Sequence, residues 1–455
     1  MKLAYQVKDR PSLAKTLAFA LQQLLAIMAA TIAVPNIIGN GMSPTAALFG
    51  AGVGTLVYLL FTKFRSPVFL GSSFAFLGSM GTAFAGAATV GLGYIGLILG
   101  AAFAGLVYVA IAIAVKLAGV DWINKLMPAV VIGPTVAIIG LSLAGNAVGD
   151  LQKGSYMVNG APTASVYVAL ICGLVTLAVT MICSVYGKKM LKMIPFIMGI
   201  LAGYLVALGF TLIGVNTAND ALKVINLDAF KVLTDGGVGL HTFLSVPELT
   251  FAKAFGAFGE LNGEYIGTIA VAYVPVAFVV FAEHIADHKN ISTIIEKDLL
   301  EDPGLHRTLL GDGVGSIAGA FFGGCPNTTY GESIGCVAIS GNASIITILT
   351  TAIMAMAIAF LTPFAVFLST IPSCVMGGVC ISLYGFIAVS GLKMVQKVDL
   401  ENNRNLFTAS VILIIGIGGL TVSFDKVTIT TVACALILGI LTNLLLKNSD
   451  KNDKK

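Results

Sequence analysis

Charged side chains are scarce in this sequence, at 11% of 455 residues against 57% hydrophobic, and the mean hydropathy is +0.95. A soluble domain of this size cannot cover its surface with so little charge, so a polytopic membrane protein is expected. No basic cluster with interleaved aromatics exists and the net charge is only +4, which leaves nucleic-acid binding without support. The seven cysteines (Cys172, Cys183, Cys325, Cys336, Cys374, Cys380, Cys434) all fall in apolar runs, with no C-x-x-C pair and no metal-like spacing. They read as small core residues and not as disulfides or ligands. Also missing are H-E-x-x-H and G-x-S-x-G. Gly311-Asp312-Gly313-Val314-Gly315 lacks the Gly-Lys-Ser/Thr of a phosphate loop, and Leu309 stands where a membrane aspartyl protease needs Gly. Asp312 is expected instead to be buried near a tightly packed helix start. No enzyme, cofactor or metal is expected. The charged N-terminus has no small-residue cleavage pattern after it, so the first apolar run is expected to span and not to be a removed signal.

What is present is a series of long apolar runs. A hydrocarbon core about 30 Å thick takes roughly 20 helical residues to cross. That window places helices near 13–34, 45–62, 92–115, 123–148, 163–185, 191–215, 265–288, 343–362, 371–392, 405–423 and 427–446. Three further segments, 68–84, 309–323 and 326–339, are shorter or broken by glycine or proline, giving fourteen in all. Lys and Arg alternate with this count: Lys8, Arg10 and Lys15, then Lys63 and Arg65, Lys116 and Lys125, Lys188, Lys189 and Lys192, Lys289, Lys297 and Arg307, and Lys393, Lys397 and Arg404 fall on connections of one side. That side is expected to be cytoplasmic, with both termini on it. The stretch 216–264, where acids outnumber lysines, is expected to be an extracytoplasmic linker dividing the chain into seven spans plus seven. An odd number per half predicts halves of opposite orientation, an inverted repeat.

The chemistry concentrates in three places. Gly71-Ser72-Ser73-Phe74-Ala75-Phe76 and Pro326-Asn327-Thr328-Thr329-Tyr330-Gly331-Glu332 break the third segment of each half. Short, interrupted segments at matching positions point to a transporter's binding site. Glu332 is the only charged residue between Asp312 and Lys393, so its carboxylate lies in an apolar body and needs a proton or donors. The third place is Glu283-His284-Ile285-Ala286-Asp287-His288, at the end of a long uncharged run. Glu283 and Asp287, four apart, share a helical face, and like charges so placed disfavour joint ionisation, which suits a proton-carrying pair. His288 and Lys289 read as the wet end of that helix. The paired histidines lack a third ligand cluster for a metal. Two carboxylates from two segments could bind both ends of a planar ring with N–H groups, the half-helix N–H groups near Phe74 and Tyr330-Gly331 could meet its carbonyls, and Phe74 could stack on it. The residues alone point to a small polar, cyclic or carbonyl-bearing solute.

At these residues the chain resembles the nucleobase–ascorbate (nucleobase:cation symporter 2) transporter family over nearly its whole length. The stretches are Gly71 to Phe76, Ala282-Glu283-His284-Ile285, Asp298 to Arg307 and Pro326 to Glu332. The resemblance implies an all-α, fourteen-span inverted repeat with short strands in segments three and ten. It implies a core domain (13–120, spans 1–4, and 265–362, spans 8–11) working against a gate domain (121–215, spans 5–7, and 363–446, spans 12–14). An N-terminus at 1–12 and a tail at 447–455 would lie in the cytoplasm, and the location would be the plasma (inner) membrane. It further implies proton-driven uracil uptake with Glu283, Glu332, Phe74, Tyr330 and Gly331 binding substrate and Glu283 and Asp287 handling the proton. Ser73, Asn327 and Gly335 would support the site structurally, and a homodimer would form through the gate domains. Xanthine or another purine, Na⁺ coupling, or anion transport on the same architecture are the alternatives. Two motifs depart from the family pattern. Ser333 and Ser340 stand in place of Asn and Thr in the signature Q/E/P-N-x-G-x-x-x-x-T-R/K/G, and Asp287 replaces the second histidine of E-H-x-x-H.

Overall fold

A bilayer offers no water to backbone N–H and C=O groups, so apolar runs of this length must close their hydrogen bonds internally as helices. They do so in the computed structural model, which describes residues 3–119, 121–158, 161–188, 190–235, 237–424 and 427–447. Most of the expected tail, 448–455, and Lys189 lie outside the described residues.

The first half runs α1 (Leu13–Ile38), α2 (Pro44–Phe61), β1 (Leu70–Ser72), a 3₁₀ turn Phe74–Phe76 leading into α3 (Leu77–Ala85), and α4 (Val90–Ala118). It continues through α5 (Asp121–Leu126), α6 (Ala129–Ser142), α7 (Ala144–Asp150), a hairpin of β2 (Met157–Val158) and β3 (Ala161–Pro162), α8 (Val166–Tyr186), α9 (Met190–Met193) and α10 (Pro195–Asn216). The intervening stretch holds short helical turns, among them α11 (Leu240–Phe243) and α12 (Thr250–Ala254). Then follow α13 (Gly263–Ile295), α14 (Leu305–Gly323), β4 (Asn327–Thr329), α15 (Gly331–Ser340), α16 (Ile345–Ile358), α17 (Thr362–Thr370), α18 (Ser373–Val395), α19 (Asn403–Gly418), a hairpin of β5 (Val422–Phe424) and β6 (Val427–Ile429), and α20 (Thr431–Leu445). Among the described residues eight helices are long and apolar enough to cross a membrane, and α16, α19, α20 and Phe74–Ala85 are shorter apolar helices.

Two differences from the spans read off the sequence are informative. The helix expected to stop at 288 runs on to Ile295 as α13, so His288 is not at a wet end but fully buried. The span expected over 123–148 begins later: a separate α5 precedes it, and α6 with α7, Ala129–Asp150, makes one of the eight candidate spans. The helices pack in two groups. One gathers α2, α4, α13, α14 and α16 with α1 against them; the other gathers α6, α8, α10, α18, α19 and α20. Within the first group α2 and α14 approach through glycine, and a Cβ on Gly50 would lie 2.4 Å from the Gly319 carbonyl oxygen. Small residues are what let membrane helices come this close.

The two broken segments meet. Gly324, at φ +76, ends α14 in the left-handed conformation that glycine adopts without strain, and its N–H caps the Ala320 carbonyl at 2.8 Å. Pro326 cannot continue a helix, and the chain leaves as β4. β4 pairs antiparallel with β1, setting Leu70 opposite Thr329, Gly71 opposite Thr328 and Ser72 opposite Asn327. The pairing is flanked by Ser73 N–H donating to the Pro326 carbonyl (2.9 Å) and Tyr330 N–H to the Phe69 carbonyl (3.2 Å). Each strand is followed at once by a helix start.

Candidate functional site

A cavity of about 330 Å³ lies where the two helix groups face each other across this strand pair. The first group contributes Ser72, Ser73 and Phe74, then Glu283, Ala286, Asp287 and Asn290 from α13, then Thr328 to Glu332, Gly335 and Cys336. The second contributes Val136, Ser184, Phe196, Phe386, Ile387 and Ser390, and the connection between α8 and α10 adds Lys192 and Met193. The volume is at the small end for ligand pockets and suits a single small solute. Of the residues read as candidates from the sequence, Glu283, Glu332, Phe74, Tyr330, Gly331, Asp287, Ser73 and Gly335 all line this cavity. Asn327 does not: it is buried behind the strand pair, where its amide donates to the Gly50 carbonyl at 3.2 Å and locks β4 onto α2.

The local folding explains each position. The Tyr330 ring packs directly on Gly71, where a Cβ would come within 2.3 Å of it, and its hydroxyl donates to the Ser72 carbonyl at 2.8 Å. Thr31 on α1 adds a longer bond to the same hydroxyl at 3.4 Å. Tyr330 thereby fixes the start of α15, which has no side-chain cap. Ser333, the departure from the family signature, fastens the same turn: the Gln23 amide donates to its carbonyl (3.2 Å) and to its hydroxyl, which also accepts the Phe69 N–H at 3.3 Å. Phe74 stands at the other helix start, packed edge-on against Tyr384 of α18 with ring centroids 5.5 Å apart. Two helix N-termini are thus aimed at one cavity, where first-turn N–H groups and the helix dipole favour an acceptor.

The same cavity holds two carboxylates of α13, and a third, Glu332, in the first turn of α15 itself. Asp287 accepts a hydrogen bond from the Thr329 hydroxyl at 2.7 Å, tying α13 to β4. Glu283 lies one turn away on the same face, and neither it nor Glu332 has an ion-pair partner among the described residues.

The adjacent face of α13, about 100° round the helix, carries a buried polar chain that the sequence reading missed. His284 Nδ1 lies 2.6 Å from Asp312 Oδ2 of α14, and its Nε2 lies 3.0 Å from the Thr308 hydroxyl. His288 Nδ1 lies 2.8 Å from the His284 carbonyl and its Nε2 2.7 Å from the Tyr58 hydroxyl, which donates to Ser66 at 2.6 Å. Asp312 therefore sits in the middle of α14 and not near its start. The available signal was the i, i+4 histidine pair together with an isolated Asp in an apolar run. These contacts clamp α13 to α2 and α14, so Glu283 and Asp287 are presented from a fixed helix.

A family model described as Permease family matches residues 14–424. The chain is 38% identical to the uracil permease of Bacillus subtilis (strain 168), over 98% of this chain and 95% of that protein, and 39% identical to that of Bacillus caldolyticus over the same shares. It is 34% identical to the uracil permease of Escherichia coli (strain K12), over 98% and 94%. Among solved structures, the transmembrane domain of a cyanobacterium bicarbonate transporter, BicA, superposes with a TM-score of 0.63 at 15% identity, covering 96% of this chain and 99% of that one. The murine Slc26a9 anion transporter in the inward-facing state gives 0.65 at 12% identity, covering 97% and 69%.

Proposed function

The chain belongs to the nucleobase–ascorbate transporter family, the permeases that include the bacterial uracil permeases, and from that premise we propose that it takes up uracil by proton symport through alternating access. The observation that carries the reading is the meeting, in one small cavity, of Glu283 and Glu332 with the helix starts at Phe74 and Gly331. A uracil ring presents N–H groups and carbonyl oxygens alternately around its edge. Carboxylates accept from the first and backbone N–H groups donate to the second, a pairing that fixes both position and orientation. The Phe74 ring offers a face or edge for the heterocycle.

Proton coupling follows from charge. An empty cavity holding Glu283, Asp287 and Glu332 as three carboxylates repels itself and resists closure in an apolar surround. A proton on Glu283 or Asp287 relieves that repulsion and favours the bound solute, so the two ligands assist each other by the same free energy. Alternating access is then a movement of the first helix group, a core domain (13–120 and 265–362), against the second, a gate domain (121–215 and 363–446).

The proposed architecture is fourteen segments in a seven-plus-seven inverted repeat, with β1–α3 and β4–α15 as segments three and ten. The linker 216–264 lies outside, both termini lie in the cytoplasm of a plasma-membrane protein, and homodimers pair through the gate domains.

Glu332→Ala and Glu283→Ala each abolish saturable uracil uptake in cells expressing the protein on this reading, and normal uptake by either variant would sink the site assignment. Collapsing the pH gradient stops accumulation. Persistence in sodium medium alone would favour Na⁺ coupling, and competition by unlabelled xanthine would favour a purine. An anion reading, suggested by the fold neighbours' names, conflicts with three carboxylates in the cavity. Chloride or sulfate flux in proteoliposomes decides it.

A further inference from the structure

The cavity also carries a cation. Lys192 is the one basic side chain among its described lining residues, facing Glu283, Asp287 and Glu332. It sits on α9, a single turn between α8 and α10, and α9 packs not only on those two helices but also on α1 and α15 of the other group. This turn therefore crosses the boundary between the two helix groups at the edge of the cavity. Of the four helices around it, α8 and α10 contain no Asp, Glu, His, Lys or Arg. The charged residue of α1 is Lys15, whose Nζ is engaged by the Tyr5 hydroxyl at 3.0 Å, and that of α15 is Glu332. Lys188, on the same connection, does not line the cavity. The one acidic residue on these four helices is thus Glu332, while Asp287 and Glu283 line the cavity from α13. Lys192 itself is exposed and makes no ion pair with a described residue here. Its flexible four-carbon stem can swing a compact charge over several ångströms.

We propose that Lys192 supplies the positive charge that the site loses when its proton leaves: after release of solute and proton, its ammonium group moves onto Glu332 and restores that charge in the empty carrier for the return step. The inference rests on the proton-symport reading above. A loaded carrier reorients with its carboxylates neutralised by a proton and bonded to the solute. An empty one would have to close the two helix groups over bare carboxylates, and burying an unpaired charge is strongly unfavourable. An intrinsic cation on the element that already bridges the two groups removes that cost without a second proton. Lys192 is then a positioning residue for the cycle and not a contact for the solute.

Full-length protein in proteoliposomes separates the two roles. Net uracil uptake driven by a pH gradient needs the empty carrier to return, whereas exchange of labelled for unlabelled uracil at equal pH uses the loaded carrier alone. Lys192→Gln is expected to slow net uptake about tenfold, equivalent to about 1.4 kcal/mol on the return step, while exchange stays within about twofold of wild type. Uracil should still raise the thermal stability of the purified variant, and Lys192→Arg should restore net uptake. Unchanged net uptake in Lys192→Gln would overturn the proposal, as would equal loss of uptake and exchange, or loss of the uracil-induced stabilisation. Wild-type protein that shows no uracil exchange would refute the uracil reading itself, and this proposal with it.

Discussion

Replacing Gly71 with alanine drives a methyl group into the ring of Tyr330. The added Cβ would lie 2.3 Å from Cε2 and Cζ and 2.9 Å from Cδ2 of that ring. Carbon atoms normally settle about 3.5–4.0 Å apart, so the ring must give by more than about 1 Å. It cannot simply swing aside, because its hydroxyl is held by the Ser72 carbonyl and Thr31 and the residue is only 3% exposed. Strain of this kind costs about 1–3 kcal/mol, and losing the hydroxyl bond adds about 1 kcal/mol. What does not relax locally passes to the Tyr330 backbone and to Gly331 and Glu332 directly after it. A shift of about 1 Å in the groups that orient a solute is enough to lower turnover roughly 100-fold. Uptake by Gly71→Ala is therefore expected to fall by that order, with chemical unfolding showing a loss of about 2–4 kcal/mol. Gly81→Ala in the same segment meets nothing within 4 Å and should behave as wild type. In a Tyr330→Ala background the obstacle is gone, so adding Gly71→Ala should cost less than about 0.5 kcal/mol further, a non-additivity that marks direct contact. Near-normal uptake by Gly71→Ala, or additive costs in the double variant, would refute the claim that this contact sets the start of α15.

Three further outcomes test other parts of the structure. Asp312→Ala strands the buried His284 and is expected to cost about 3–5 kcal/mol in chemical unfolding, whereas replacing the pair together by Asp312→Leu and His284→Phe should recover most of it. Gly319→Ala places a Cβ 2.2 Å from the Asn327 amide nitrogen and should lower stability by about 1–3 kcal/mol, while Gly267→Ala on α13, with nothing within 4 Å, should not. Asp302, on the connection between α13 and α14, is held below the usual carboxylate range by Lys297, 2.6 Å away, and by Arg65. Because its folded value is the lower one, its contribution is fully present above the unfolded value of about 3.9 and is lost as pH falls from there through the lower folded value. The melting temperature of Asp302→Asn should then trail wild type at pH 7, with the gap closing toward pH 3 and shrinking in high salt. A gap independent of pH would refute the assignment.

What could be read from the sequence and what could not divides along physical lines. The breaks at 71–76 and 325–335 stood out because Pro326, Gly324 and Gly71 act through local backbone conformation, which a linear reading sees. Their pairing did not, since Leu70 and Thr329 are far apart in the chain and three-residue strands carry almost no alternation. The end of α13 was misplaced for a related reason. Asp287, His288 and Lys289 look like a helix reaching water, and only the fold shows that Tyr58 waits for His288 and Thr329 for Asp287. A polar face turned to a polar partner has the same periodicity as one turned to solvent. Lys192 was hidden likewise: as one of several lysines on a connection it supports orientation, and nothing in its neighbours says that its turn leans on α15.

The charge balance of the cavity connects these pieces. Each helix N-terminus contributes roughly half a positive charge, so the starts at Phe74 and Gly331 together present about one. Left alone they would favour an anion, and a transporter for anions can use such ends directly. Here three carboxylates outweigh them, and Lys192 at the edge offsets only part of the excess. Against that excess of about two negative charges, a proton in the loaded carrier and Lys192 in the empty one each offset one, so both forms reorient with the same net charge. A neutral ring that donates to carboxylates and accepts from N–H groups adds no charge to that sum. The composition of the cavity therefore selects an uncharged solute accompanied by one proton, and it does so through the same residues that bind the ring.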